Sequence, residues 1–173
     1  MKELIDYFDE DRNYLGVVDK DEAHEKGLWH NAVHVWIVND KNQILLQRRG
    51  LDKDFFPGTW DASIGGHIGA GDNSLNSAIR EGEEELGIKI EPEQLEYLFT
   101  NKESTSYRNI KVNEFLDIYL MRTDIDINDI IIQKEELLDA KYVDIDEFLR
   151  MVETKDESLF PHVNEYEQLI KFL

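Results

Sequence analysis

Between Gly66 and Ile88 the chain reads GHIGAGDNSLNSAIREGEEELGI, a glycine-containing turn that runs into one strongly patterned segment. Leu75, Ala78, Ile79, Gly82 and Leu86 recur at helical intervals and form one core-facing stripe. At about 100° per residue, Glu81, Glu84 and Glu85 fall at roughly 0°, 300° and 40° around the same axis, so three carboxylates share the arc beside that stripe. Like charges crowded in this way repel, and a hard divalent cation with oxygen ligands relieves the repulsion. Mg²⁺ or Mn²⁺ suits this donor set better than Zn²⁺. Arg80 is placed to fix one carboxylate through a bidentate pair, and Gly87 to close the helix with a left-handed cap.

The order glycine, five residues, acid, seven residues, then Arg-Glu-x-x-Glu-Glu-x-Gly-Ile over 66–88 resembles the Nudix box of the Nudix hydrolases. Two positions depart from that pattern: Asp72 stands where the family usually has Glu, and Gly82 where it usually has a large aliphatic residue. Glycine inside a helix costs about 1 kcal/mol relative to alanine, so Gly82 is expected to make room for a closely packed neighbour. An isolated E-x-x-E-E in an acidic chain would read as a solvated helix face. Here the glycines, the arginine and the helix-stop glycine stand in register with the acids, and that register carries the functional reading.

The chain has 173 residues, 41% of them hydrophobic, enough for one core, and no Pro/Gly/Ser-rich linker divides it. One domain over 1–173 is expected, with 1–27 as an N-terminal hairpin extension and 66–88 as the box. There is no apolar run of about 18 residues and no basic-then-apolar leader, which points away from membrane insertion and secretion and toward the cytoplasm. The absence of cysteine removes disulfides, thiolate zinc sites and cysteine nucleophiles. A formal net charge of −19, from 38 acids against 19 bases, disfavours stable nucleic-acid binding. A small phosphorylated substrate is compatible with that charge if bound metal and a few basic side chains hold it. A homodimer is the commonest way for an enzyme of this size to associate.

Leu4 to Phe8 and Tyr14 to Val18 read as a hairpin. Ala32 to Val38 and Gln43 to Gln47, joined by Asp40-Lys41-Asn42, read as strand, turn, strand, with an apolar character that implies burial on both faces. Further strands are expected at Tyr97 to Thr100, Val112 to Met121 and Lys141 to Asp144, and helices at Ile145 to Val152 and Val163 to Leu173. Strands and helices interleave without regular βαβ alternation, so the class is α/β with a mixed β-sheet between helices. The Nudix resemblance implies the same α/β/α sandwich.

Arg48 and Arg49 end a strand and are followed by Lys53 and the turn Phe55-Phe56-Pro57-Gly58-Thr59-Trp60-Asp61. Adjacent arginines on a strand point to opposite faces, so one of the two can bind a diphosphate bidentately. Trp60 reads as core packing beneath the turn. His24, His30 and His67 could converge as imidazole ligands, although their spacing alone is not a metal signature and hydrogen-bonded structural histidines are the alternative.

Ala23-His24, Trp29-His30, Arg48-Arg49, Pro57-Gly58-x-Trp60 and Gly66-His67 together resemble the type I isopentenyl-diphosphate isomerase branch of the Nudix superfamily, over roughly Tyr7 to Asp144. That resemblance implies a second metal site formed by His24, His30, His67 and Glu114, with Glu85 as the box acid. It also shows two departures: Val112 occupies the position of a second glutamate, and Gly65 that of the isomerase's protonating cysteine. Glycine has no side chain with which to move a proton, which argues against isomerase chemistry.

The expected activity is that of a MutT-like pyrophosphatase: metal-dependent hydrolysis of a diphosphate linkage in a nucleoside diphosphate derivative or other organic diphosphate. Glu81, Glu84 and Glu85 would hold the metal, Arg80 would orient them, and Arg48, Arg49 and Lys53 would bind substrate. Glu85 is the first candidate for general base and Glu114 the second, with Glu135 and Glu136 behind them. Trp29, Tyr107 and Phe160 are candidate pocket aromatics. Two other classes stay open: the isomerase and a non-catalytic diphosphate-binding module.

Overall fold

Along the apolar strand of the sequence, side chains alternate between two separate cores. The computed structural model describes residues 2–162 and 164–173. A hairpin of β1 (Leu4–Phe8) and β2 (Tyr14–Asp19) leads into α1 (Lys20–Lys26), and then come β3 (Trp29–Val38), β4 (Gln43–Arg49), β5 (Trp60–Asp61) and β6 (Ile64–His67). Helix α2 (Ser74–Leu86) follows, then the long strands β7 (Leu95–Tyr107) and β8 (Ile110–Arg122), β9 (Leu137–Asp144), α3 (Ile145–Glu153) and α4 (Glu165–Leu169).

Strand β3 is the spine of the nine-stranded sheet. It runs parallel to β8 from His30↔Glu114 to Val38↔Arg122 and antiparallel to β6 from Ala32↔His67 to Val35↔Ile64. Antiparallel pairs β3–β4, β4–β9, β7–β8 and β1–β2 complete a mixed sheet. Ala32, Trp36, Ile44, Leu46, Leu116 and Ile118 pack on one face with Phe148 of α3 and Tyr166 and Leu169 of α4. Val33, Val35, Ile37, Leu45 and Met121 pack on the other with Ala78 and Leu86 of α2. The architecture is therefore the expected α/β/α sandwich, with both faces of the central strands covered.

Several boundaries differ from the expected ones. Strands β7 and β8 each run 13 residues, and β7 extends well past the expected Thr100 because its inward positions Asn101, Glu103 and Thr105 are polar and so hide the alternation from the sequence. Of the expected helix from Val163 to Leu173, the described part is α4 followed by a 3₁₀ turn over Ile170–Phe172, and Val163 lies outside the described residues. Helix α1 buries only Ala23, so the sequence LysAspGluAlaHisGluLys shows no apolar stripe. Its signals are a capping Asp19, which accepts from the Asp21 amide, and a left-handed Gly27 at its end.

Candidate active site

Helix α2 is held at both ends. Asn73 caps it by accepting from the Asn76 amide, and Gly87 closes it at φ 65°, the left-handed conformation expected of it. The next loop satisfies two of the terminal carbonyls, with the Ile131 amide donating to Leu86 O (3.0 Å) and that of Gln133 to Glu85 O (2.9 Å). A Cβ on Gly82 would lie 2.5 Å from Ile90 Cδ1 and 3.1 Å from Ile64 Cδ1, so this glycine admits two isoleucines to the helix surface. Gly66 plays a similar part for the site, because a side chain there would collide with the Glu81 carboxyl. Asp72 accepts from Ser77 Oγ (3.2 Å) at the start of the helix.

The acidic arc of α2 borders a cleft of about 360 Å³. Glu85 is buried there, and its Oε2 accepts from Gln47 Nε2 (2.7 Å) and the Gly65 amide (3.3 Å). Burial, reinforced by the charge of Glu81, pushes the Glu85 carboxyl up to about 8. Burial likewise pushes Glu81 up to about 7, against the opposing pull of Arg80. Arg80 does not form the bidentate pair expected from the sequence. One guanidinium nitrogen is shared, 3.1 Å from Glu81 Oε1 and 3.7 Å from Glu84 Oε2, so the arginine braces two carboxylates. Three carboxyls line this cleft, two of them beside Arg80 and two of them favouring protons over charge, a donor set that fits a hard divalent cation.

On the other side of the cleft, the three histidines come together. Ligand atoms of His24, His30, His67 and Glu114 all lie within 4.8 Å of one another. The Nε2 atoms of His24 and His67 are 3.2 Å apart, and His30 Nε2 lies 3.3 Å from Glu114 Oε1. Burial and the neighbouring His30 lower His24, and lower His67 strongly, which keeps both imidazoles neutral and able to ligate. For Glu114 burial acts upward, but the hydrogen bond and charge of His30 prevail and hold it at about 2. His30 is raised in turn, Glu114 outweighing burial.

The arginine pair divides as strand alternation requires. Arg49 lines the cleft, donates to Phe55 O (2.9 and 3.1 Å) and lies 3.7 Å from Asp61. Arg48 turns away to Gly58 O (2.9 Å) and the Trp60 ring, so the structure does not bring it to the cleft. Lys53 lines the cleft and pairs with Glu136, while Glu135 is exposed. Phe160 borders the cleft under the Arg49 guanidinium, Trp29 stacks near Phe115, and Tyr107 packs on Phe56.

The sequence reading missed a buried polar network at the floor. His34 Nδ1 lies 2.8 Å from Glu165 Oε1, which also accepts from Trp36 Nε1 (3.0 Å). His162, with a side chain 3% exposed, is 2.6 Å from Asp61 and 3.0 Å from Glu103, one on each ring nitrogen. Both nitrogens therefore donate, and against burial these carboxylates and Glu165 hold the imidazole well above its ordinary value. The signal available was His34 itself, one polar residue inside the apolar run Ala32 to Val38.

Fold and cleft together show an α/β/α sandwich whose box glutamates line one cleft. The NUDIX domain family model matches residues 28–163, and the chain belongs to the Nudix family. Nudix hydrolase 3 of Arabidopsis thaliana is 42% identical over 146 residues, 82% of this chain and 19% of the plant protein, so the chain spans only a small part of that relative. An isopentenyl-diphosphate Delta-isomerase of Shigella flexneri is 32% identical over 149 residues, covering 84% of this chain and 79% of the isomerase. The crystal structure of DR0079 from Deinococcus radiodurans shares the fold, with a TM-score of 0.70 at 20% identity over 98% of both chains. Nudix hydrolases generally act on nucleoside diphosphate derivatives and use divalent metals, typically Mg²⁺ or Mn²⁺. Among the described residues, no helix is long and apolar enough to cross a membrane.

Proposed function

We propose that this chain, acting as one Nudix domain in the cytoplasm, hydrolyses a diphosphate linkage in a small nucleotide or other organic diphosphate. The observation that carries the reading is the burial of Glu81 and Glu85 in the same cleft as Arg49 and Lys53. Carboxylates pushed up to about 7 and about 8 seek a cation, and the basic side chains opposite seek an anion. Glu81, Glu84 and Glu85 would hold Mg²⁺ or Mn²⁺, which when bound neutralises phosphate charge and acidifies water.

The chain's own groups do the rest. Arg80 fixes Glu81 and Glu84 relative to each other, and Arg49 and Lys53 bind phosphate oxygens. Glu85 takes the proton of the attacking water; its amide donors Gln47 and Gly65 fix the carboxylate's position. Glu114 is the second candidate for base, weakened in that role by its engagement with His30. The test is detection of phosphate products across nucleoside diphosphates and triphosphates, nucleotide sugars, coenzyme diphosphates and isopentenyl diphosphate, each with Mg²⁺, Mn²⁺ and chelator. Metal-dependent release from any member supports the reading. Silence from folded, metal-loaded protein overturns it in favour of a diphosphate-binding module, and double-bond migration without phosphate release would favour the isomerase.

The convergence of His24, His30, His67 and Glu114 supports a second metal site, with a nitrogen-rich donor set that suits a transition metal better than Mg²⁺. Stoichiometry of bound Mn²⁺ or Co²⁺ in the intact protein and in His30→Ala tests it; equal stoichiometry would reject the site.

A further inference from the structure

Gly65 stands between two groups of different chemical use. Its amide donates to Glu85 Oε2 at 3.3 Å, and a Cβ built on it would lie 3.2 Å from His34 Cδ2 and 3.5 Å from His34 Nε2. His34 and Gly65 are register partners on β3 and β6, and both line the cleft. The missing side chain leaves the Nε2 edge of His34 open to the space where a diphosphate would lie beside Glu85.

The other edge of the ring is fixed. Nδ1 donates to Glu165 Oε1 (2.8 Å), and Glu165, fully buried, is itself held by Trp36 Nε1 (3.0 Å). A carboxylate on Nδ1 orients an imidazole and stabilises its protonated form. Four titratable groups act on His34 electrostatically: Glu165, His162, Asp61 of β5 and Glu114 of β8. Burial works most strongly against protonation, and the His162 ring 4.8 Å away adds to it, but the charge and hydrogen bond of Glu165 together with the charge of Asp61 prevail and raise His34 above its ordinary value.

We propose that His34 is the catalytic acid of this cleft, delivering its Nε2 proton to the oxygen that leaves phosphorus, with Glu165 as its positioning residue. The inference rests on the diphosphate-hydrolysis reading above. Water adds to phosphorus and gives up a proton to a box carboxylate. The bridging P–O bond breaks with its electron pair on the leaving oxygen, which takes the proton from His34. The protonated box carboxylate then releases its proton to solvent and the neutral imidazole regains one from it, so the cycle closes without any redox partner. A neighbouring strand thus supplies a proton donor at the place where position 65 lacks one.

The experiment is the pH dependence of kcat for wild type, His34→Gln and Glu165→Gln on whichever diphosphate of the panel the wild type turns over, with melting curves for each. His34→Gln is expected to lower kcat by about 10²-fold or more and to abolish the alkaline limb of the profile. Glu165→Gln keeps on its one amide oxygen an acceptor for both Trp36 and His34, and its melting curve checks the fold where its amide nitrogen would face His162 Nδ1, which lies 3.4 Å from Glu165 Oε2. Without the negative charge its imidazole gives up the proton sooner, and the alkaline limb should move to lower pH with little loss at its acidic side. If wild type turns over substrate and Glu165→Gln leaves the limb in place, or folded His34→Gln keeps its limb, this proposal is overturned while the hydrolase reading stands. Silence of the wild type on the whole panel overturns both.

Discussion

Replacing Glu85 with Gln separates the charge of the box from its shape. Moving a carboxyl from its ordinary 4.5 to about 8, at about 1.36 kcal/mol per pH unit, disfavours the buried ion by on the order of 4–5 kcal/mol. Since the folded-state value is the higher one, the native protein holds an extra proton across that interval, and stability falls as pH rises through it. A glutamine keeps the shape and can still accept from Gln47 and the Gly65 amide, but it never ionises. In chelator, the variant should match wild type near pH 5 and exceed it near pH 9. At about 2–4 °C per kcal/mol for a domain of this size, the gap in Tm should open by roughly 10 °C or more. Contributions from Glu114, Asp61 and the histidines are common to both proteins and cancel in the difference. Adding Mg²⁺ at high pH should then recover wild type and leave the variant nearly unmoved. A Tm gap that stays constant from pH 5 to pH 9 in chelator would refute the burial argument.

Three further outcomes are expected. Glu84→Gln, at a half-exposed position, should leave Tm nearly unchanged and reduce metal-dependent turnover on the order of 10²-fold, and near-normal turnover would remove it from the site. Arg49→Gln should raise KM for a diphosphate while Arg48→Gln does not, because only Arg49 lines the cleft; equal effects in a kinetic titration would contradict that division. Gly82→Leu should lower stability by about 1–3 kcal/mol in urea melts through collision with Ile90 and Ile64, and an unchanged midpoint would show that the two isoleucines can yield.

The box helix was legible because three kinds of signal coincide within it: an apolar stripe, an acidic arc and a left-handed glycine stop. The central strands were legible from continuous apolar character. Strand β6 was not, since Gly65, Gly66 and His67 carry no β-forming pattern; its place is set by pairing with β3 and by the need to let Glu81 approach. The histidine cluster depends on β3, β6, β8 and α1 arriving together, and the spacing of His24, His30 and His67 along the chain records none of that. Resemblance to a family supplied the meeting point. For His34, Asp61, His162 and Glu165, neither spacing nor resemblance pointed to a network whose members are separated by up to 131 residues.

One cleft thus holds two carboxylate sets tuned in opposite directions. Burial drives Glu81 and Glu85 upward, for Glu81 against the pull of Arg80 and for Glu85, among the described residues, with no cation paired to it to oppose the rise, whereas His30 draws Glu114 down and His162 with His34 and Arg49 draws Asp61 down, each against its own burial. The second set is neutralised by the chain itself. The first is not, and a domain with 38 acids against 19 bases has few cations to spare for it. On the proposed reading, demand for an external divalent ion would fall first on the α2 carboxylates, whose oxygen donors would select a hard ion such as Mg²⁺. The neutral imidazoles of His24 and His67 offer nitrogen to a softer one. Titrating Mg²⁺ into protein already loaded with Co²⁺ should leave the Co²⁺ visible spectrum intact while raising Tm, since the two ions would occupy different donor sets. Loss of the spectrum at Mg²⁺ concentrations that raise Tm would mean that a single site serves both.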